Sequence, residues 1–591
     1  MTGTSTNRIA WYGTIAILLL TIAAVACSND SVDPVVAVCD EVFAIDDDVL
    51  AERLSADQLK SRLDNLEFEL LPEVRGEVED AVDRFIWNAR EVAESSTYDY
   101  PTFQVLNYLD TYEQMAAHVH AFEAVNDVRW NCAAVGREWV GDAPVITEHV
   151  SQRGIEYGKY TINELIEFGE ALFVASFNSL DGAGRPGLTG AGESRTRRKS
   201  PDNFNRISGP DSNACSGCHN MPAAGGGGDN VANVFVRGQE FDFVDFDNQL
   251  DDRNEVEFED AVVNLRNVAN ERNTLGMFGS GLIELLAREM TTDLHAIRDE
   301  ALEAAQESDQ PVPAELVTKG VRFGSITAHS SGFIDTTLVE GVDYDLIIRP
   351  FHQKGVVTSL RAFTNNALNH HHGLQNYERT GAGKDPDGDG VKNEITPGDS
   401  TALVVFQATL PTPIQLLPNT KNARAVVTKG EQLFTSIGCA VCHVQEMPLR
   451  SLIFTEPGPY NSGSDLGPGQ VDALLEFDLA DFSPDFPRNS DGDYLIPVFT
   501  DLKRHKMGPD LNNEVLEQDD VPTDEWLTRK LWGFASEPPF LHHGRATLIS
   551  EAVEAHGGAS QPARDAFTNL SEEDRNSLIE FLKTLQIDSS S

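Results

Sequence analysis

Two five-residue runs carry the plainest chemistry in the chain: Cys215-Ser216-Gly217-Cys218-His219 and Cys439-Ala440-Val441-Cys442-His443. C-x-x-C-H is the attachment pattern of c-type haem. Its spacing lets two thiols add to the two vinyl groups of one haem, while the adjacent histidine swings beneath the ring and ligates iron on the proximal side. Zinc would want further cysteines or histidines in a paired knuckle, and a thioredoxin-like redox pair does not need the histidine. Two matched copies therefore imply two covalently bound haem c groups. Cys215, Cys218, Cys439 and Cys442 are the attachment points, and His219 and His443 the iron ligands.

The remaining cysteines point to export. Arg8 precedes an apolar run from Ile15 to Ala26 that is too short to span a bilayer comfortably, and Ala24-Val25-Ala26-Cys27 places small residues directly before a cysteine. The pattern predicts a signal peptide over 1–26 and lipidation of Cys27; Ala24 stands where a lipobox usually has leucine, and ordinary signal cleavage nearby is the alternative. No later segment is apolar enough to span a membrane, so the expected location is the periplasm or cell surface, with a lipid anchor at Cys27 as the membrane attachment. In that oxidising compartment Cys39 and Cys132 could pair. Carboxylates outnumber basic side chains 94 to 45, a formal net charge of -49. Such a field repels nucleic acid and anionic lipid; it keeps a surface soluble, or attracts a basic redox partner.

The elements that must position the haems read as mainly α. Gly169-Glu170-Ala171-Leu172-Phe173 precedes the first attachment motif and Gly430-Glu431-Gln432-Leu433-Phe434 the second, a repeat that marks two related cytochrome c-like domains. A helical N-terminal domain is expected over 27–160, from apolar positions at helical spacing such as Leu59, Leu63, Leu66 and Leu70. The first haem domain follows over 161–423, with long loops and a polar insertion, and the second over 424–591. Ser571 caps a closing helix with Leu578, Ile579, Phe581, Leu582 and Leu585 at helical spacing. Asp385, Asp387 and Asp389 take positions one, three and five of a calcium-loop pattern, but Thr396 holds position twelve, where a bidentate glutamate belongs. They offer a looser calcium site or a solvated acidic turn.

Further residues resemble a known group. Leu531-Trp532-Gly533-Phe534, Pro538-Pro539-Phe540-Leu541-His542-His543-Gly544-Arg545-Ala546-Thr547, Glu551 to Gly558 and Asp501 to Pro509 look like the closing part of the bacterial di-haem oxidoreductase family. That family is often labelled thiol oxidoreductase and is related to the di-haem cytochrome c peroxidases; the likeness covers roughly 160 to 588. His543 departs from it, since relatives usually have aspartate there. The resemblance implies a second axial ligand fourteen residues after His542, which is His556, with Met507 as the rival. Bis-histidine iron is six-coordinate and suited to electron transfer. The resemblance also implies that His505 and Met507 line the pocket or the inter-haem path; Trp532 is either a core tryptophan or an aromatic relay between the haems.

No motif fixes the distal side of the first haem, where Met277, His329, His352 and the run His370-His371-His372 are candidates. If that side is open, Glu284 and Glu289 could serve as the acid–base group that peroxide cleavage requires. The expected activity is a peroxidase-like oxidoreductase, electrons passing from the C-terminal haem to a reactive N-terminal haem, with a redox protein or small-molecule oxidant as partner. The alternative is a non-catalytic electron-transfer lipoprotein with two six-coordinate haems; a third reading is an oxygenase.

Overall fold

A computed structural model describes residues 142–184, 212–228, 270, 272–385, 388–514 and 517–587, with short strands at 231–232, 256–258 and 261–263. Cys27, Cys39, Cys132, Asp387 and the expected signal peptide lie outside these residues, as does most of the expected N-terminal domain. The described residues from Ala143 to Ile587 belong to one compact unit.

Six helices frame the sites: α1 (Ile162–Val174), α2 (Ser280–Ser308), α3 (Leu360–Ala367), α4 (Pro397–Thr409), α5 (Lys421–Ser436) and α6 (Glu572–Leu582). Their starts follow from capping chemistry. Thr161 with Glu164, and Thr396 with Asp399, close reciprocal capping boxes, while Ser359, Thr420 and Ser571 each accept a first-turn backbone N–H.

The two Gly-x-x-x-Phe repeats lie on α1 and α5, and both do the same work. A methyl group at Gly169 would overlap the Ala402 carbonyl of α4, and one at Gly430 would overlap the Ser577 carbonyl of α6. Glycine is what lets each pair of backbones cross this closely. Phe173 then packs on Phe406 at 5.2 Å between ring centres, and Phe434 on Phe581 at 5.5 Å. Each attachment motif therefore follows a helix that crosses a later helix through one glycine and one aromatic pair.

The expectation of a mainly α fold is corrected. Ten α-helices occur among the described residues, with 38% of residues helical and 16% in strands spread over several small sheets. The strands come from chain between the helices, where long excursions satisfy their own backbone groups by folding into hairpins. The largest, β1 (Val312–Thr318), β2 (Val321–Ala328) and β3 (Ile334–Val339), is an antiparallel sheet with Thr318 opposite Val321 across a tight turn. Lys319 and Gly320 both take positive φ there (49° and 83°), the conformation of a two-residue hairpin turn. Shorter antiparallel pairs join 453–456 to 475–478, 447–449 to 494–496 and 504–506 to 525–527. Among the described residues no helix is long and apolar enough to cross a membrane.

Candidate haem centres

Each attachment motif forms a single 3-10 turn, Cys215–Gly217 and Cys439–Val441, which turns its two cysteines and following histidine toward one cavity. Burial pushes the Cys215 thiol up to about 12 and the Cys439 thiol up to about 11, so neither is a reactive thiolate. His219 Nδ1 bonds the Gly226 carbonyl at 3.2 Å and His443 Nδ1 the Phe499 carbonyl at 3.1 Å. A carbonyl can only accept, so each Nδ1 carries the proton and each Nε2 keeps its lone pair for a metal. Burial pushes both imidazoles down to about 4, which keeps them neutral and able to ligate.

Cys439, Cys442 and His443 line the C-terminal cavity together with His505, Met507 and His556. His443 and His556 face each other across it, ring centres 6.4 Å apart. Metal–nitrogen bonds of about 2.0 Å place two imidazole centres on opposite sides of one ion about 6 Å apart. His556 Nδ1 donates to the Ala552 carbonyl at 2.7 Å, so its Nε2 lone pair is also available, and burial keeps the ring neutral. Met507 lines the same cavity and accepts from Ser560 Oγ at 3.9 Å. His505 is there too, bonded to Asp501 at 2.7 Å. Burial opposes its charge, yet the hydrogen bond and negative charge of Asp501 push it above the ordinary imidazole range, and an imidazolium has no lone pair for iron. Cys442, Asp501 and His505 lie within 4.8 Å of one another, but the attachment motif already commits the cysteine.

On the N-terminal side two adjoining cavities share His219, Leu275, Met277, His352, Gln353 and Phe363. Of the distal candidates, Met277, His352, His370, His371 and His372 line them, and His329 does not. A five-residue π-turn, Leu368–His372, presents the triple histidine. His372 Nδ1 bonds the Ser212 carbonyl at 2.6 Å, with Nε2 3.5 Å from Cys215 Sγ, which sets it against the attachment edge. His371 and His219 line the same cavity. His219 itself packs on Phe173 at 6.2 Å, as His443 packs on Phe434 at 6.4 Å.

Glu284 and Glu289 are absent from the lining of either cavity. Glu284 is buried, paired with Arg288 at 2.5 Å and accepting from the Leu360 backbone N–H at 2.7 Å. Glu289 joins Lys319 and Arg450 at 2.6 and 3.1 Å. Both carboxylates, readable from sequence as an acid–base group or as ordinary helix positions, are engaged in ion pairs outside the cavity linings. Asp385 caps its own loop by accepting from Gly388, Asp389 and Gly390, and Asp389 accepts from Val391. Trp532 is buried against Gly279 and lines neither site. Trp526 does line the C-terminal cavity, stacked on His542 at 3.6 Å with the Lys354 ammonium 3.7 Å from its centre. Gln353, Leu527, Thr528 and Arg529 line cavities on both sides and form the shared wall. Sequence reasoning missed these wall residues; no spacing rule separates them from ordinary chain.

Paired thiols beside neutral, correctly tautomeric imidazoles, each set lining one cavity, fit two haem groups held by this chain. Residues 485–585 are similar to the family model described as "Di-haem oxidoreductase, putative peroxidase". The matched stretch carries Met507, Trp526, His542 and His556, while both attachment motifs lie before it. No curated protein matches the chain.

Proposed function

We propose that this is an exported di-haem c-type cytochrome whose C-terminal haem feeds electrons to an N-terminal haem that reacts with a small oxidant of the peroxide class. The observation that carries the reading is the difference between the cavities. One is closed by His556 facing His443; the other is lined by Arg272, His352, His371 and Gln407, side chains that could bind and orient a polar ligand. Bound haem would supply one-electron chemistry and a metal site for the oxidant. The chain's part is to hold each proximal imidazole through its Nδ1–H and to keep the sites apart by the Gln353–Leu527–Thr528–Arg529 wall. Peroxide reduction balances as one H2O2, two electrons and two protons giving two waters, so an external electron donor is required. The signal-like N-terminus and Cys27 support a lipid-anchored, extracytoplasmic location. A carrier with two six-coordinate haems is the second reading, favoured by the presence of His371 in the cavity that His219 lines.

Electron paramagnetic resonance of the holoprotein separates them. The oxidoreductase gives one low-spin and one high-spin ferric signal, at rest or after one-electron reduction, and peroxide consumes the high-spin species. Two low-spin haems inert to peroxide and CO in both states would leave the carrier.

A further inference from the structure

His352 has φ +67°, a left-handed conformation uncommon in non-glycine residues that persists where surroundings enforce it. It lines both N-terminal cavities, and Arg272 lines the larger one with it. Both reach back to the same side chain. Arg272 Nη2 donates to Gln518 Oε1 at 2.9 Å, and its Nη1 pairs with Glu514. That bond fixes the amide, because the flipped orientation would set NH2 against a guanidinium. Gln518 Nε2 therefore points at His352 Nδ1, 3.4 Å away, and is the donor of that long hydrogen bond. Nδ1 accepts, so the imidazole proton sits on Nε2, at the other edge of the ring.

We propose that Arg272 and His352, locked into one unit by Gln518, form an oxyanion-binding pair in the N-terminal cavity: the guanidinium and the imidazole Nε2–H hold a peroxide-class oxygen ligand and stabilise negative charge on its oxygens. Fixed donors in a water-poor cavity do this without reorganising when charge develops. Gln518 and Glu514 act as positioning residues behind the pair. The proposal rests on the reading of the N-terminal site as the one that takes an exogenous ligand.

The test uses ferric holoprotein titrated with fluoride, an anion that accepts hydrogen bonds from such donors, and the C–O stretching frequency of the reduced CO complex. Arg272→Met leaves Glu514 paired with Lys354 at 3.1 Å, and His352→Asn keeps a residue type that tolerates positive φ. Each is expected to weaken fluoride binding about tenfold or more, the worth of one charge-assisted hydrogen bond. Each should also raise the C–O frequency while leaving the C-terminal low-spin signal unchanged. Gln518→Met should act in the same direction by a few-fold, and it carries the test with His352→Asn if Arg272→Met fails to load haem. Wild-type binding with unchanged affinity in the variants would overturn the pair alone. So would conversion of a low-spin to a high-spin signal by His352→Asn, which makes His352 an iron ligand. A shift in reduction potential with no change in fluoride affinity would assign the pair to the haem carboxylates. If wild-type protein binds neither fluoride nor CO at any redox level, the open-site reading falls together with the proposal.

Discussion

The two haem-binding halves share a frame and differ in how they are closed. In both, a glycine-bearing helix crosses a later helix, an aromatic from the first packs on one from the second, and that same aromatic lies beside the proximal histidine. The frames diverge on the far side. The C-terminal cavity combines Leu511, Phe534, Phe540, Ile549, Val553 and Leu578 with Gln353, His505, Arg529 and Arg564, and sets one neutral imidazole opposite the proximal one. The N-terminal cavity gathers Arg272, Asn273, His352, Gln353, His371 and Gln407. A helix crossing can be copied without copying the chemistry, because the crossing is fixed by a glycine and an aromatic while the distal wall comes from separate chain.

The largest effect should come from removing the facing imidazole. His556→Ala is expected to convert the C-terminal haem completely from low-spin to a ligand-binding form, giving a second CO-reactive haem in the absorption spectrum. Met507→Leu should leave the low-spin signal intact. The reverse pattern would make Met507 the ligand and His556 a wall residue, and the contrast between the halves would then rest on a thioether.

Next in size is the shared frame. Gly169→Ala and Gly430→Ala each force a methyl into a backbone carbonyl of the crossing helix, at a cost of about 1–3 kcal/mol. Thermal unfolding of the two holoproteins reads this directly. Similar losses would show that the crossings are equivalent; a neutral Gly169→Ala would mean that the first crossing relaxes, and that the repeat is one of sequence more than of packing.

That repeat is also where sequence was most informative. Glycine and phenylalanine at fixed distance before C-x-x-C-H leave a trace in the chain, as does the capped helix after Ser571. The partner of the first helix, Pro397–Thr409, leaves much less. Every one of its thirteen residues is buried, so it shows no apolar stripe against a polar face. The strands were missed because most are two to four residues long, below what alternation can signal, and β1–β3 because the reading followed the haem motifs past a β-branched stretch with a Lys319-Gly320 turn. Glu284 and Glu289 show the other limit. A carboxylate near a glycine turn in sequence can equally face an arginine, and the ion pair of Glu284 with Arg288 comes from ordinary i,i+4 helix geometry.

The smallest effect concerns what stands behind the N-terminal wall. Glu456 is fully buried among Arg288, Arg361, Glu284 and Glu378, and Arg361 bonds it at 3.1 Å. Through Arg361 and the Glu284–Leu360 bond this cluster fixes the start of α3, whose Phe363, Thr364 and Ala367 line the N-terminal cavity. Burial pushes Glu456 up to about 7, more than the two arginines pull it down. The folded chain therefore holds a proton that the unfolded chain releases from about pH 4.5 upward. The stability this group contributes is fully present below that lower value and is lost as pH rises through about 7, on the order of 1–3 kcal/mol. Glu456→Gln, which cannot ionise, should flatten the fall in melting temperature between pH 4.5 and 7. Wild-type protein should show a pH-dependent N-terminal haem spectrum over that window, absent in the variant, while the C-terminal low-spin signal stays constant in both. Equal pH dependence at the two haems would mean that the cluster acts on the whole unit, and that only the distal side chains distinguish the halves.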